Sequence, residues 1–175
     1  VLAMPFLLPV SLPFMSTALG APMLLIGAAV VMNRVPWLPD RLLDHAGDIA
    51  LLVRAPSLSA LYSAATRALF DVILDVGTVE PRDRVEVRIE DAADAEDLLV
   101  RYLSELLYLH DARDWLFREA EVREADASSL VADVTGERFD PVRHSIARQV
   151  KAVTYHDLML SEDADGFTAR LVLDL

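Results

Sequence analysis

The chain reads as an α+β protein, a mixed and largely antiparallel sheet system with two helices packed on it. Three observations predict this. Residues 84–90 (RVEVRIE) alternate strictly, with Val85, Val87 and Ile89 on one face and charges on the other. Two stretches with helical spacing follow capping residues, Ser57 and Asp94. After Asp111 the chain is mostly β-branched and alternating, broken by short Pro and Gly turns. The order βαβα followed by antiparallel strands gives one sheet system covered by two helices.

In order, 48–54 (DIALLVR) reads as a buried first strand. Ser57 caps a helix whose Leu58, Leu61, Tyr62, Ala65, Leu69, Val72 and Ile73 share one face, and Gly77 suits its C-terminal cap. Asp94 caps a second helix with Leu98, Leu99, Tyr102, Leu106 and Leu109 on its apolar face. Its acidic first turn, with Glu96 and Asp97, complements the helix dipole. Strands are expected over 115–124, 130–135, 148–160 (bent or split) and 167–174, with a hairpin loop at 163–166. Pro141 keeps 139–144 out of a central strand. Residues 149–160 read as a strand buried on one face and central in its sheet, with Val150, Ala152, Tyr155, Leu158 and Leu160 turned to the core.

Composition bounds the function. The 175 residues suffice for one domain with a real core, and 28 acidic against 16 basic residues give a net charge of -12. Such a surface opposes non-specific binding to a phosphate backbone and favours cationic partners, metal ions included. With no cysteine there is no disulfide, thiolate metal site or Cys nucleophile, which fits a cytoplasmic location. Residues 1–39 are different material from residues 40–175, since no charged side chain precedes Arg34. Pro5, Pro9 and Pro13 break the first apolar run, and 22–32 (PMLLIGAAVVM) is shorter than the roughly 20 residues of a spanning helix. This extension is a fusion remnant, a membrane segment or a mis-started frame. Association with a membrane follows only if residues 1–35 are genuine.

Four histidines, His45, His110, His144 and His156, fall on different elements without metal-ligand or H-E-x-x-H spacing, and read as surface or hydrogen-bonding residues. The carboxylates are more informative. Asp48 opens the first strand and Asp174 closes the last. If those strands are neighbours, two carboxylates approach each other, and a hard cation between them relieves their repulsion. Asp75 and Glu105 either join such a site or face water.

From residue 42 onward the chain resembles the archease family. Asp44-His-Ala-Gly-Asp-Ile49 is similar to "E-H-T-A-D-[VI]", with Ala46 and Gly47 in place of Thr-Ala. Ala68-Leu-Phe-Asp-Val-Ile-Leu-Asp75 resembles the end of the family's first helix. Leu98-Leu-Val-Arg-Tyr-Leu-Ser-Glu-Leu-Leu107 resembles "L-L-x-x-[WF]-L-N-E-L-L", with departures at Tyr102 and Ser104. Gly136-Glu-Arg-Phe-Asp140, Val150-Lys-Ala-Val-Thr-Tyr-His156 and Arg170-Leu-Val-Leu-Asp-Leu175 complete six ordered blocks. The resemblance implies a non-enzymatic activator of the GTP-dependent tRNA-splicing RNA ligase, which joins ends carrying a 3′-phosphate or cyclic phosphate. It implies promotion of guanylylation and of repeated turnover, with no direct nucleic-acid binding. It also implies a divalent metal, Ca²⁺ with Mg²⁺ or Mn²⁺ as alternatives, held by Asp48, Asp174 and Leu175, the last through backbone oxygen or a free carboxylate. Two other readings stand beside it: a membrane-anchored interaction domain, and a carboxylate-metal hydrolase for which no general base can be named. The run Leu19–Pro39, ending Pro36-Trp-Leu-Pro39, resembles the ExoD-like exopolysaccharide-synthesis membrane proteins.

Overall fold

The computed structural model describes residues 47–175. The apolar extension, Arg41 and His45 lie outside the described residues. The elements are β1 (Ile49–Ala55), α1 (Leu58–Ile73), a short 3₁₀ turn (Val76–Thr78), β2 (Asp83–Ile89), α2 (Ala95–Arg113), β3 (Trp115–Ala125), β4 (Leu130–Arg138), β5 (Ala152–Asp163) and β6 (Gly166–Asp174). The class is α+β, as the sequence predicts. The strands form two three-stranded sheets rather than one system, in the orders β1-β6-β5 and β2-β4-β3, and every named pair is antiparallel. The reason is the helices. Helix α1 packs on β3 of one sheet and on β1 and β6 of the other, while α2 packs on β5 and β2. Both sheets therefore bury a face against the same helical layer.

The first helix starts where its cap residue requires. Ser57 is extended and its side chain accepts from the Ala60 amide at 3.2 Å. Leu61, Tyr62, Ala65, Thr66, Leu69, Phe70 and Ile73 are buried at helical spacing. The expected glycine cap at Gly77 is not how this helix ends. Leu74 turns extended, and the Ala147 and Arg148 amides donate to the Ile73 carbonyl at 2.7 and 3.2 Å. The orphan carbonyl is thus satisfied by a distant segment, which leaves no need for a left-handed glycine. Gly77 instead donates its N–H to the Asp75 carboxylate at 3.0 Å.

Helix α2 has a reciprocal cap. The Asp94 side chain accepts from the Asp97 amide at 2.8 Å, and the Asp97 carboxylate accepts from the Ala93 amide at 3.0 Å. Asp94→Ala removes one of these and is expected to cost about 1 kcal/mol. A urea midpoint equal to wild type would show that the cap contributes nothing. Leu98, Leu99, Tyr102, Leu106 and Leu109 are buried, as their spacing requires.

Strand β5 differs from the expectation. It lies at an edge of its sheet, and the centre belongs to β6, whose Ala169, Leu171 and Leu173 are fully buried. The period is broken by a bulge between Thr154 and Met159, with Asp157 left-handed at φ 51°. Val153 therefore takes the core position and Tyr155, expected inside, is 59% exposed. The outer edge of β5 is not left open. The Tyr155 hydroxyl donates to Asp97 at 2.6 Å and the Leu160 amide donates to Glu96 at 2.9 Å, so the first turn of α2 covers it. Strand β4 runs to Arg138, three residues past the expected end, because Trp115, Leu116 and Phe117 of β3 continue the ladder. Among the described residues, no helix is long and apolar enough to cross a membrane.

Candidate metal site

The site lies where the first and last strands meet. Strands β1 and β6 pair antiparallel, from Ala55 opposite Phe167 to Ile49 opposite Leu173. Asp48 immediately precedes Ile49 and Asp174 immediately follows Leu173, so both carboxylate residues adjoin the same end of this ladder. Asp48 is exposed and Asp174 half-buried. The pairing that the sequence analysis made a condition is present.

The third strand adds a residue that sequence reasoning missed. Ala152 of β5 stands opposite Asp174, so Lys151 comes opposite Leu175. The Lys151 amide donates to the Asp174 carbonyl at 2.8 Å, and its ammonium donates to the Leu175 carbonyl oxygen. One signal could have drawn attention to it: Lys151 is the only lysine in the chain.

This end of the sheet thus gathers Asp48, Asp174, Leu175 and a cation. Its donors are oxygens, two carboxylates and a carbonyl, the kind that hard divalent ions take. The ammonium on Leu175 shows that the carbonyl accepts a positive charge. The chemistry of the residues present fits such an ion.

Other candidates are placed elsewhere. Among the described residues, no group of three or more His, Asp or Glu is placed to hold a metal ion, so neither Asp75 nor Glu105 joins the pair into such a cluster. Asp75 is engaged in capping the 3₁₀ turn. His110 bonds through Nδ1 to the Trp115 carbonyl at 2.9 Å, and His156 is exposed.

His144 belongs to a second feature that the sequence reading did not find. It is buried, and its Nδ1 accepts from the Asp140 amide at 3.0 Å. An amide can only donate, so in the neutral ring Nε2 carries the proton and donates to Glu137 at 3.2 Å. Glu137 is also buried and accepts from the Glu80 amide at 2.7 Å and from both terminal nitrogens of Arg143 at 2.6 and 3.1 Å. Burial works to raise the Glu137 pKa. The Arg143 hydrogen bonds, the Glu80 amide, the Arg143 charge and His144 outweigh it and hold the carboxyl at about 2. This knot fixes the loop after β4. The signal for it was an acidic residue followed by Arg and His six and seven positions later.

A small α+β domain of two antiparallel sheets sharing a helical layer, with paired acidic positions where its first and last strands join, is the class these observations define. Comparison with known proteins makes the assignment specific. The profile of the archease protein family matches residues 41–175. The archease of Methanosarcina acetivorans is 39% identical over 137 residues, covering 76% of this chain and 93% of that protein. The archease of Pyrococcus abyssi is 38% identical over 136 residues, covering 75% and 95%. The solution structure of protein 1598 of Methanobacterium thermoautotrophicum is similar with a TM-score of 0.53 and 27% identity, covering 73% of this chain and 91% of that one. The chain belongs to the archease family. A second profile, that of the exopolysaccharide-synthesis family ExoD, matches residues 1–55.

Proposed function

We propose that this protein is a metal-binding activator of the GTP-dependent RNA ligase of tRNA splicing, promoting the ligase's guanylylation and multiple turnover without itself being the catalyst. Membership of the archease family supports the reading, and the pairing of Ile49 with Leu173, next to which Asp48 and Asp174 stand in the chain, is the observation that favours these particular residues. Asp48, Asp174 and the Leu175 backbone oxygen would hold the ion, Ca²⁺ before Mg²⁺ or Mn²⁺. When bound, the ion would supply positive charge for the triphosphate chemistry of the ligase. The side chains of this protein would bind and position it, and the rigid β1–β6 pairing would keep both carboxylates in place. With a net charge of -12, the RNA is left to the ligase.

The test is multiple-turnover ligation of 3′-phosphate RNA by the cognate ligase, with the full chain as wild type, Asp48→Ala or Asp174→Ala. Each variant is expected to lose the stimulation, on the order of tenfold or more, while its thermal melt stays close to wild type. Full stimulation by both variants would refute the reading. A membrane-anchored interaction domain is the second reading, favoured by the ExoD match over residues 1–55. It requires the full chain to sediment with membranes, and recovery of all of it in the supernatant would exclude it.

A further inference from the structure

We propose that Lys151 is the resident counter-cation of the candidate metal site, competing with a divalent ion for the Leu175 carbonyl oxygen. The inference rests on the metal reading above and adds to it a residue that sets the affinity of the site.

The placement of Lys151 comes from the fold. Its amide is bonded to the Asp174 carbonyl at 2.8 Å, so its main chain is fixed to the same residue whose carboxylate is a candidate ligand. Its ammonium reaches one position further, to the Leu175 carbonyl. Asp48 approaches Asp174 from the opposite side, since β6 lies between β1 and β5. The two carboxylates, the carbonyl and the ammonium therefore share one end of one sheet.

The choice of side chain is the second observation. The chain has 16 basic residues, and Lys151 is the one that is not arginine. Ion pairs among the described residues are made by arginines and by His144, never by Lys151. An ammonium is a compact point charge that seeks hard oxygen, as a small divalent ion does, whereas a guanidinium is a planar fork suited to carboxylates. At this end of the sheet the ammonium occupies the Leu175 oxygen. A metal ion reaching the Leu175 oxygen must displace it. The freed ammonium then lies beside a cation and turns outward.

The proposal fixes a sign. If Lys151 competes, removing its charge tightens metal binding; if it merely holds Leu175 in position, removing it weakens binding. Ca²⁺ and Mn²⁺ titrations by calorimetry on the full chain would measure this for wild type, Lys151→Met, Lys151→Arg and Asp174→Asn. Lys151→Met is expected to bind about fivefold or more tightly than wild type, Lys151→Arg to stay within about twofold because the charge is kept, and Asp174→Asn to lose binding. Equal or weaker binding by Lys151→Met overturns the proposal. So does Lys151→Arg binding as tightly as Lys151→Met, which would trace the gain to the altered shape. Wild-type affinity in Asp174→Asn would place the ion elsewhere and overturn both readings. No binding by any of the four proteins would remove the metal site itself. A thermal melt guards against a folding artefact. The rise in melting temperature on adding Ca²⁺ is expected to be larger for Lys151→Met than for wild type, even if that variant starts lower in chelator, and a smaller rise counts against the proposal.

Discussion

Gly136→Ala is expected to destabilise the domain by at least about 3 kcal/mol, a large part of the roughly 5–15 kcal/mol that holds a domain of this size folded. Gly136 stands in β4 opposite Phe117 of β3 and Asp83 of β2, beside the bulge between Phe117 and Glu119. A methyl group there would overlap the Leu116 carbonyl oxygen and meet the Phe117 Cα at 2.9 Å. Both are backbone atoms of a paired strand, so no side-chain rotation relieves the overlap. The ladder must open, and with it the Phe117 ring, which packs edge-on against Phe70 of α1 at 5.5 Å. Urea denaturation followed by far-UV circular dichroism measures the loss. A midpoint within error of wild type would mean that β3 and β4 do not approach this closely. Gly47 is the contrast, since among the described residues nothing lies within 4 Å of a side chain built there.

The second large effect concerns the knot around Glu137. Glu137→Ala leaves the His144 Nε2–H and the Glu80 amide without their acceptor and leaves Arg143 only the Thr78 carbonyl and the Glu80 carboxylate, and is expected to cost about 3–5 kcal/mol. Glu137→Gln keeps the shape and removes the charge, which isolates the pH dependence. The Glu137 pKa in the folded protein is depressed to about 2 from an ordinary 4.5. Burial opposes that shift; Arg143, the Glu80 amide and His144 produce it. A depressed carboxyl pKa contributes stability that is fully present above the unfolded value and is lost as the pH falls through the folded one. The contribution, on the order of 3 kcal/mol, is therefore complete above about pH 5 and is lost between about pH 4.5 and 2. Urea midpoints taken from pH 7 to pH 2 should fall less steeply for Glu137→Gln than for wild type over that window. Parallel curves would show that Glu137 does not carry its charge in the way the geometry requires.

How far the sequence foretold this protein differs by feature. Helix starts were legible because a cap is a local event: Ser57 and Asp94 each bond an amide three residues away. The alternation of Val85, Val87 and Ile89 correctly gave β2 its inner face. The juxtaposition of Asp48 and Asp174 was legible from their positions at strand ends, once the first and last strands were taken as neighbours. What failed depended on distant segments. Alternation reports that a strand has a buried face, not whether strands flank it on both sides, so β5 was read as central. Its bulge then shifted the period and turned Tyr155 to solvent, where Asp97 of α2 supplies the partner. Gly77 was read as a cap because Gly commonly ends helices, yet the Ala147 and Arg148 amides already satisfy Ile73. The Glu137 knot was missed because a buried ion cluster looks like any run of mixed charges until the strand that buries it is known.

The order of strands in the β1-β6-β5 sheet has a bearing on biosynthesis. Strand β6, which both neighbours need, follows them in the chain, so β1 emerges from the ribosome more than a hundred residues ahead of its only sheet partner among the described residues. The β2-β4-β3 sheet, in contrast, comes from one continuous stretch between Asp83 and Arg138. A nascent or clipped chain stopping before Gly166 can hold the second sheet complete and still lack the first. It would also lack Asp174 and the strand that pairs with β1 beside Asp48. The acidic pair is assembled from the two extremes of the domain, and its presence certifies that everything between them has been made.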